Sequence, residues 1–252
     1  MKKTIMILLT AVLASQMAFA DGWLKDFNYT LRVGGNIGGT APIGLPATIR
    51  GLNSMKIRPN LSLGVDAIKP LNNHWKLMVG LRAENKDMNM DARVKSYQMA
   101  MEQGAESVEG YYTGNVQTVV RQKMITLPVR MAINVNPDLS LQFGPYMSVL
   151  IEKEFSGCAH GGYLRVDNPT GARMDIGEDD ATKGTYDFSK DMRYSQFGLM
   201  AGADWYFNKH WGVYGDLCWG LTGIHKSGFK TIDQTLYPIY ATIGFIYRFH
   251  RR

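Results

Sequence analysis

Cysteine is scarce in this chain. Cys158 and Cys218 are the two it has, and a disulfide scaffold would need more. A dominant charge is missing too. The net charge is +6 over 252 residues, and it falls to about +4 once Lys2 and Lys3 are set aside. That is too mild a surplus to argue for nucleic acid as a partner. Long apolar runs are absent beyond the N-terminus: no later segment offers the ~18 consecutive apolar residues of a transmembrane helix. Nor is there a repeat of 20–50 residues or a domain linker. The acidic stretch Asp175, Glu178, Asp179 and Asp180 lacks the D-x-D-x-D-G spacing of a calcium loop. No metal or cofactor is expected.

The N-terminus has the composition of an export signal. Lys2 and Lys3 precede an apolar run from Thr4 to Met17, and Ala18-Phe19-Ala20 supplies the small-x-small pattern of a cleavage site. Residues 1–20 are therefore expected to be a signal peptide and 21–252 a single mature domain. Composition by itself would suit a soluble periplasmic protein. The hydrophobic pattern does not.

Eight segments alternate with period two, the signature of strands. They are Phe27–Gly38, Lys56–Ala67, His74–Glu84, Thr118–Asn134, Leu139–Glu152, Met192–Phe207, Trp211–Gly223 and Leu236–Phe249. Each is long enough for a tilted strand to cross a bilayer. Three connections are short and carry turn residues: Lys69 to Asn73, Val135 to Asp138, and Asn208 to His210. Four are long, near 39–55, 85–117, 153–191 and 224–235. Short turns at one end and long loops at the other is the asymmetry of an outer-membrane barrel. The stretches 92–99 and 111–122 still partly alternate, so two readings stay open for those loops: strand extensions or flexible chain.

Odd positions are apolar and bulky, from Leu31 and Val33 through Phe143, Trp219 and Phe245. Even positions carry the charges and many glycines. A soluble carrier barrel would turn the bulky face inward, and a membrane barrel would turn it outward. Volume decides between them. The interior of an eight-stranded barrel is just wide enough for side chains to fill, and this many tryptophans and phenylalanines would overfill it. Trp75, Trp205, Phe207, Trp211, Tyr247 and Phe249 also cluster at the short-turn ends of the odd face, as in a lipid-facing aromatic girdle. The fold class expected is therefore all-β: an eight-stranded antiparallel up-and-down transmembrane β-barrel in the outer membrane.

Its lumen is expected to hold a polar network of Arg32, Arg58, Asp66, Arg82, Glu84, Arg130, Glu152, Asp204, Asp216 and Arg248, with Lys76 nearby. Charges in so narrow a space must pair, and Arg130 and Arg248 are the candidates for forked bonds to carboxylates. The network serves either as a plug or as a gated conduit. No catalytic residue is assigned. His225 with Asp233, or His160 with Ser156, are loose pairings without a supporting motif. Cys158 and Cys218 could pair only if a long loop folded inward.

At TLPVRMAINVNPDLSLQFGPYMSVLIEKEF (126–155) the sequence resembles the PorT-like outer-membrane β-barrel family. Leu127-Pro128-Val129-Arg130 and Gly144-Pro145-Tyr146 carry the likeness, and LRVGGNIGG near the start and IGFIYRF near the end also fit. The resemblance implies an eight-stranded integral barrel without a cofactor. It implies an aromatic residue near the C-terminus for the barrel-insertion machinery, a role Phe249 fills before His250, Arg251 and Arg252. One member of that family is associated with assembly of a protein-secretion apparatus. The expected partners are outer-membrane lipid and lipopolysaccharide, the insertion machinery, and a protein at the extracellular loops. The expected role is structural or interaction-based, not enzymatic. The alternatives are an outer-membrane enzyme that modifies lipid A or other acyl groups, and the soluble periplasmic carrier.

Overall fold

The computed structural model describes residues 27–44, 46–56, 58, 60–103, 106–229, 231–232 and 234–249. The expected signal peptide, Ile57, Asp233 and His250 to Arg252 lie outside them. The described residues form one antiparallel sheet of twelve strands. In chain order these are β1 (Asn28–Pro42), β2 (Ile49–Lys56), β3 (Leu61–Pro70), β4 (Trp75–Asn85), β5 (Met88–Gln103) and β6 (Glu106–Asn134). They continue with β7 (Leu139–Val166), β8 (Arg173–Ile176), β9 (Gly184–Asp187), β10 (Ser195–Tyr206), β11 (Trp211–Gly220) and β12 (Leu236–Arg248).

Eight of the twelve pair in a closed cycle. The order is β1, β3, β4, β6, β7, β10, β11, β12 and back to β1. These eight correspond to the eight alternating segments. The expected count of eight needs correcting, because β2, β5, β8 and β9 lie in the long connections, where the sequence leaves strand extension open for 92–99 and 111–122 alone. β6 has 29 residues and β7 has 28, so at ~3.3 Å per residue each runs roughly 90 Å. Their far halves rise beyond the ring, and β5 and β9 complete a second, smaller cycle with them.

The alternation along β5 is only partial in the sequence because the pattern changes phase. In β5 the buried apolar side chains are Met88, Ala92 and Val94, then Met99 and Met101. The phase flips at Ser96, a non-glycine residue at φ 50°, where the register with β6 shifts. An inserted residue moves every later side chain to the other face. The buried methionines and Tyr112, Val116, Phe155, Leu164 and Tyr186 form an apolar core above the ring. That core gives the extension its own reason to fold.

The short turns share one device. In each, an asparagine side chain accepts two backbone amides. Asn72 Oδ1 takes those of His74 (2.9 Å) and Trp75 (2.7 Å). Asn136 takes those of Asp138 (2.9 Å) and Leu139 (2.7 Å). Asn208 takes those of His210 (2.9 Å) and Trp211 (2.7 Å). Each side chain stands in for a missing carbonyl at the hairpin tip.

Only the carbonyl oxygen of the amide is used, so an aspartate should substitute. Asn136→Ala is expected to lower stability by about 1–2 kcal/mol, and Asn136→Asp to leave it near wild type. Urea unfolding of the lipid-reconstituted protein, followed by tryptophan fluorescence, measures both. Equal losses in the two variants would show that the two amide bonds are not what matters.

Candidate functional site

Parity sorts the ring's side chains as the alternation requires. The odd positions face out: Trp75, Trp205, Phe207, Trp211, Phe249, Phe143, Trp219 and Phe245 are all exposed, the last at 60%. Tyr247 is half-buried, because Trp211 packs edge-on against it at 4.9 Å and His210 stacks on it. The even positions face in. Arg32, Arg82, Arg130, Asp66, Asp204 and Asp216 are all 3% exposed or less.

These six residues come from six different strands and meet in one network. Arg32 of β1 forks onto Asp204 of β10, with Nη1 to Oδ1 at 2.9 Å and Nη2 to Oδ2 at 2.6 Å. Its Nε donates to Asp66 of β3. Asp66 also accepts Arg130 Nη2 of β6 at 2.8 Å. Asp216 of β11 lies 2.8 Å from Arg82 Nη1 of β4 and 3.6 Å from Arg130 Nη1. Gln142 of β7 donates to both Asp204 (2.9 Å) and Asp216 (3.2 Å). The Tyr214 ring lies against the Arg32 guanidinium at 4.7 Å. Three guanidinium groups face three carboxylates, so the cluster is neutral.

A second tier sits above the first. Glu84 pairs with Lys86 Nζ at 3.1 Å. Glu84 also accepts Thr126 Oγ1 at 2.6 Å and Asn36 Nδ2 at 3.3 Å. Thr242 of β12 donates to Asn36 at 2.6 Å. Between the two tiers every strand of the ring contributes a side chain.

The glycines of the inner face make room for these carboxylates. A Cβ at Gly202 would collide with Asp216 Oδ1, and one at Gly80 with Asp66 Oδ1. Both positions sit beside a charge that must come close to the wall.

Three expected members of the network lie elsewhere. Glu152 is exposed and pairs with Lys123 at 2.6 Å on the outer surface. The cause is a bulge. Lys123 pairs with Glu152 but Met124 with Leu150, so Ile151 is an extra residue and parity reverses beyond it. Arg58 lies in the connection between β2 and β3, outside the ring strands. Arg248 is at the lower end, where its guanidinium covers the Tyr206 ring at 3.7 Å instead of forking onto a carboxylate. Lys86 was missed because it stands just past β4, in a stretch read as loop. Carrying the even parity of Glu84 one step further would have found it.

Of the two loose catalytic pairings, His160 with Ser156 does not assemble, and Asp233, the expected partner of His225, lies outside the described residues. His160 Nε2 meets Asp91 at 2.8 Å, while Ser156 Oγ donates to Glu154. His225 is held between aromatic rings, stacked on Phe229 at 4.4 Å and edge-on to Phe155 at 4.7 Å. Asp180 is taken up by Lys183, and no metal-binding group of His, Cys, Asp and Glu occurs among the described residues. Cys158 and Cys218 are both free thiols.

Burial lowers the His225 pKa from 6.5 to about 4, against a weak opposing pull from Asp191. The closed extension therefore refuses a proton that the opened one accepts. Its stability is full above about pH 6.5 and falls as the pH drops toward about 4. Cleavage at 224–229 by a protease active across that range should accelerate on acidification, and His225→Phe should flatten the response. A second outcome concerns the network. Asp66→Asn is expected to cost ~3–5 kcal/mol, since it leaves Arg32 and Arg130 short of a buried counter-charge. Glu152→Gln is expected to leave the unfolding midpoint unchanged. Similar midpoints for both variants would contradict the inner network's role in stability.

A comparison with protein families matches residues 14–226 to the family described as outer membrane protein beta-barrel domain. No curated protein matches the chain. Among solved structures, the attachment invasion locus protein Ail of Yersinia pestis is similar over 88% of this chain and 97% of its own, with 8% identity and a TM-score of 0.38. CarO2 of Acinetobacter baumannii is similar over 88% of this chain and 99% of its own, with 11% identity and a TM-score of 0.41. OprG of Pseudomonas aeruginosa is similar over 89% of this chain and 96% of its own, with 16% identity and a TM-score of 0.32. These structural likenesses are weak, and the assignment rests on the family match. The chain belongs to the outer membrane protein beta-barrel domain family, and its place is the outer membrane.

Proposed function

We propose that the ring is an eight-stranded transmembrane barrel of the PorT-like kind, closed to ions, and that the protein acts through its extracellular extension as a structural or interaction protein. The observation that carries this reading is the neutral network of Arg32, Arg82, Arg130, Asp66, Asp204 and Asp216, which fills the ring with paired charge. A conduit selective for ions would need charge of one sign or room for water. Eight strands give no spare width. The outward tryptophans and phenylalanines meet lipid, with Trp75, Trp205 and Trp211 at the periplasmic interface.

The extension carries the interaction role. β5, β8, β9 and the upper halves of β6 and β7 are strand-built, with a core of their own. A rigid platform of this kind preorganises a surface for a protein or for lipopolysaccharide, which lowers the ordering cost of binding. The sequence resemblance to PorT-like proteins at 126–155 makes a component of a secretion apparatus the first protein partner to test. The insertion machinery is the partner during assembly.

Planar-bilayer recording tests the closed ring. Wild-type protein that migrates faster unheated than heated in a gel is expected to give no steady current. Arg82→Ala combined with Asp216→Ala removes a pair without leaving a lone charge, and it should produce conducting episodes. A steady ohmic current from the wild type would refute the plug.

A further inference from the structure

We infer that the extracellular end of the ring holds a binding site for an unbranched hydrocarbon chain, reached sideways from the outer leaflet. The inference rests on the reading of the ring as a transmembrane barrel. Three observations carry it: a gap in the wall, a cavity behind the gap, and the height at which the gap opens.

The gap lies beside β1. On one side β1 pairs with β12 along its whole upper half, to Pro42 opposite Leu236. On the other side its pairing with β3 stops at Gly35 opposite Leu61. Asn36 reaches Asn60 by one further bond of 2.8 Å. Beyond that, Ile37 to Pro42 have no strand partner on this side among the described residues. Among the described residues β2 pairs with β5 alone, so it too keeps an unpaired edge there. The amide of Thr40 points at the sulfur of Met88, 3.3 Å away. A thioether is a weak acceptor, and the contact makes a poor seam.

Both unpaired edges line one cavity of about 520 Å³. Gly38 to Pro42 form one lip, and Ile49, Leu52 and Met55 the other. Met88, Met90 and Met99 line the interior, and Phe155, Tyr186 and Phe188 close the far end. The volume falls in the range of ligand pockets, ~300–1,000 Å³. A cavity lined mainly by carbon and sulfur favours apolar guests. Methionines reshape themselves around a flexible one.

The height of the mouth identifies the guest. Gly39 pairs with Ile239, and Ile239 pairs with Trp219 at the end of β11 far from the short turns. Ile239, Trp219, Ile37, Leu52 and Met55 are all exposed on the outer surface. The apolar mouth is thus continuous with the lipid-facing wall near the outer interface, where hydrocarbon is the solvent. Arg50 is exposed and also borders the cavity, placed for the carboxylate or phosphate at the end of such a chain. The chain could belong to a free fatty acid or to an outer-leaflet lipid, and both present the same methylenes.

The test uses the full-length protein in phospholipid nanodiscs and an 18-carbon polyene fatty acid that fluoresces in apolar pockets. Saturable binding is expected, weakened at least tenfold by Met88→Trp or Met90→Trp, which fill the cavity, and by Gly39→Leu, which crowds Met88 and Met55 at the mouth. Phe143→Leu, on the outer wall away from the mouth, should bind as wild type does. Arg50→Ala should weaken the fatty acid severalfold and leave the corresponding alcohol unchanged. Native mass spectrometry then distinguishes retained free acid from retained phospholipid, and either mass supports the site. No saturable binding by wild type, or equal binding by the filled variants, overturns the inference. Fast gel migration of the unheated protein keeps that failure separate from failure of the barrel reading, which would appear as loss of heat-modifiable migration.

Discussion

A backbone amide in hydrocarbon has no partner except another part of the same protein. That constraint governs the architecture. An open sheet would leave two edges bare in lipid at a cost of several kcal/mol per unsatisfied group, so the first and last strands of the ring must find each other. They do so over the full length of the ladder, from Thr30 opposite Arg248 to Pro42 opposite Leu236. Closure then fixes the interior. Once eight strands are joined, the width is set, and whatever lies on the inner face has to fit it.

The inner face is fitted with charge, which is costly to bury and has to be balanced locally. The three arginines and three aspartates span six strands, and Gln142 and Thr242 bring in the remaining two. Such a network contributes less to net stability than to uniqueness. A strand that slipped by one residue would turn Arg32 or Asp66 toward lipid and strand its partners inside. Glycine is the other half of this arrangement. A side chain at Gly80 or Gly202 would occupy the space a carboxylate needs. The bulky odd face and the glycine-rich even face are thus two consequences of one narrow, charged interior.

The ring was legible in the sequence because its rule is simple and unbroken over ten or so residues. Alternation located eight segments, the volume argument chose the outward face, and asparagine-bearing turns marked one end. The extension was legible only in part: 92–99 and 111–122 alternate enough to leave strand extension open, but the rule breaks there without leaving the strand state. Ser96 and Ile151 each insert a residue into a continuing ladder. A period-two reading then sees apolar residues on both faces and cannot choose between strand and loop. Glu152 was misassigned for the same reason, lying one residue past the inserted Ile151. Lys86 was missed for the opposite reason: it keeps the parity of β4 after the strand has ended. The buried pairing itself, Arg32 with Asp204 across a separation of 172 residues, has no local signature at all.

Bulges also explain why one chain can carry two differently solvated interiors in a single pair of strands. Below Ile151 the even residues of β7 point into the polar ring, as Gln142 and Ser148 do. Above it the odd residue Phe155 points into the apolar core of the extension, while β6 keeps its phase from Thr126 to Val120. The two interiors meet where Glu84 and Lys86 give way to Met124 and Leu150. A charged ring that continued upward would need further counter-ions with each turn of height. An apolar cap needs only volume, and methionine-rich packing supplies it with slack to spare. That slack is absent from the ion-paired tiers below, so a cavity that can admit a guest belongs where the ring gives way to the extension and not among those tiers.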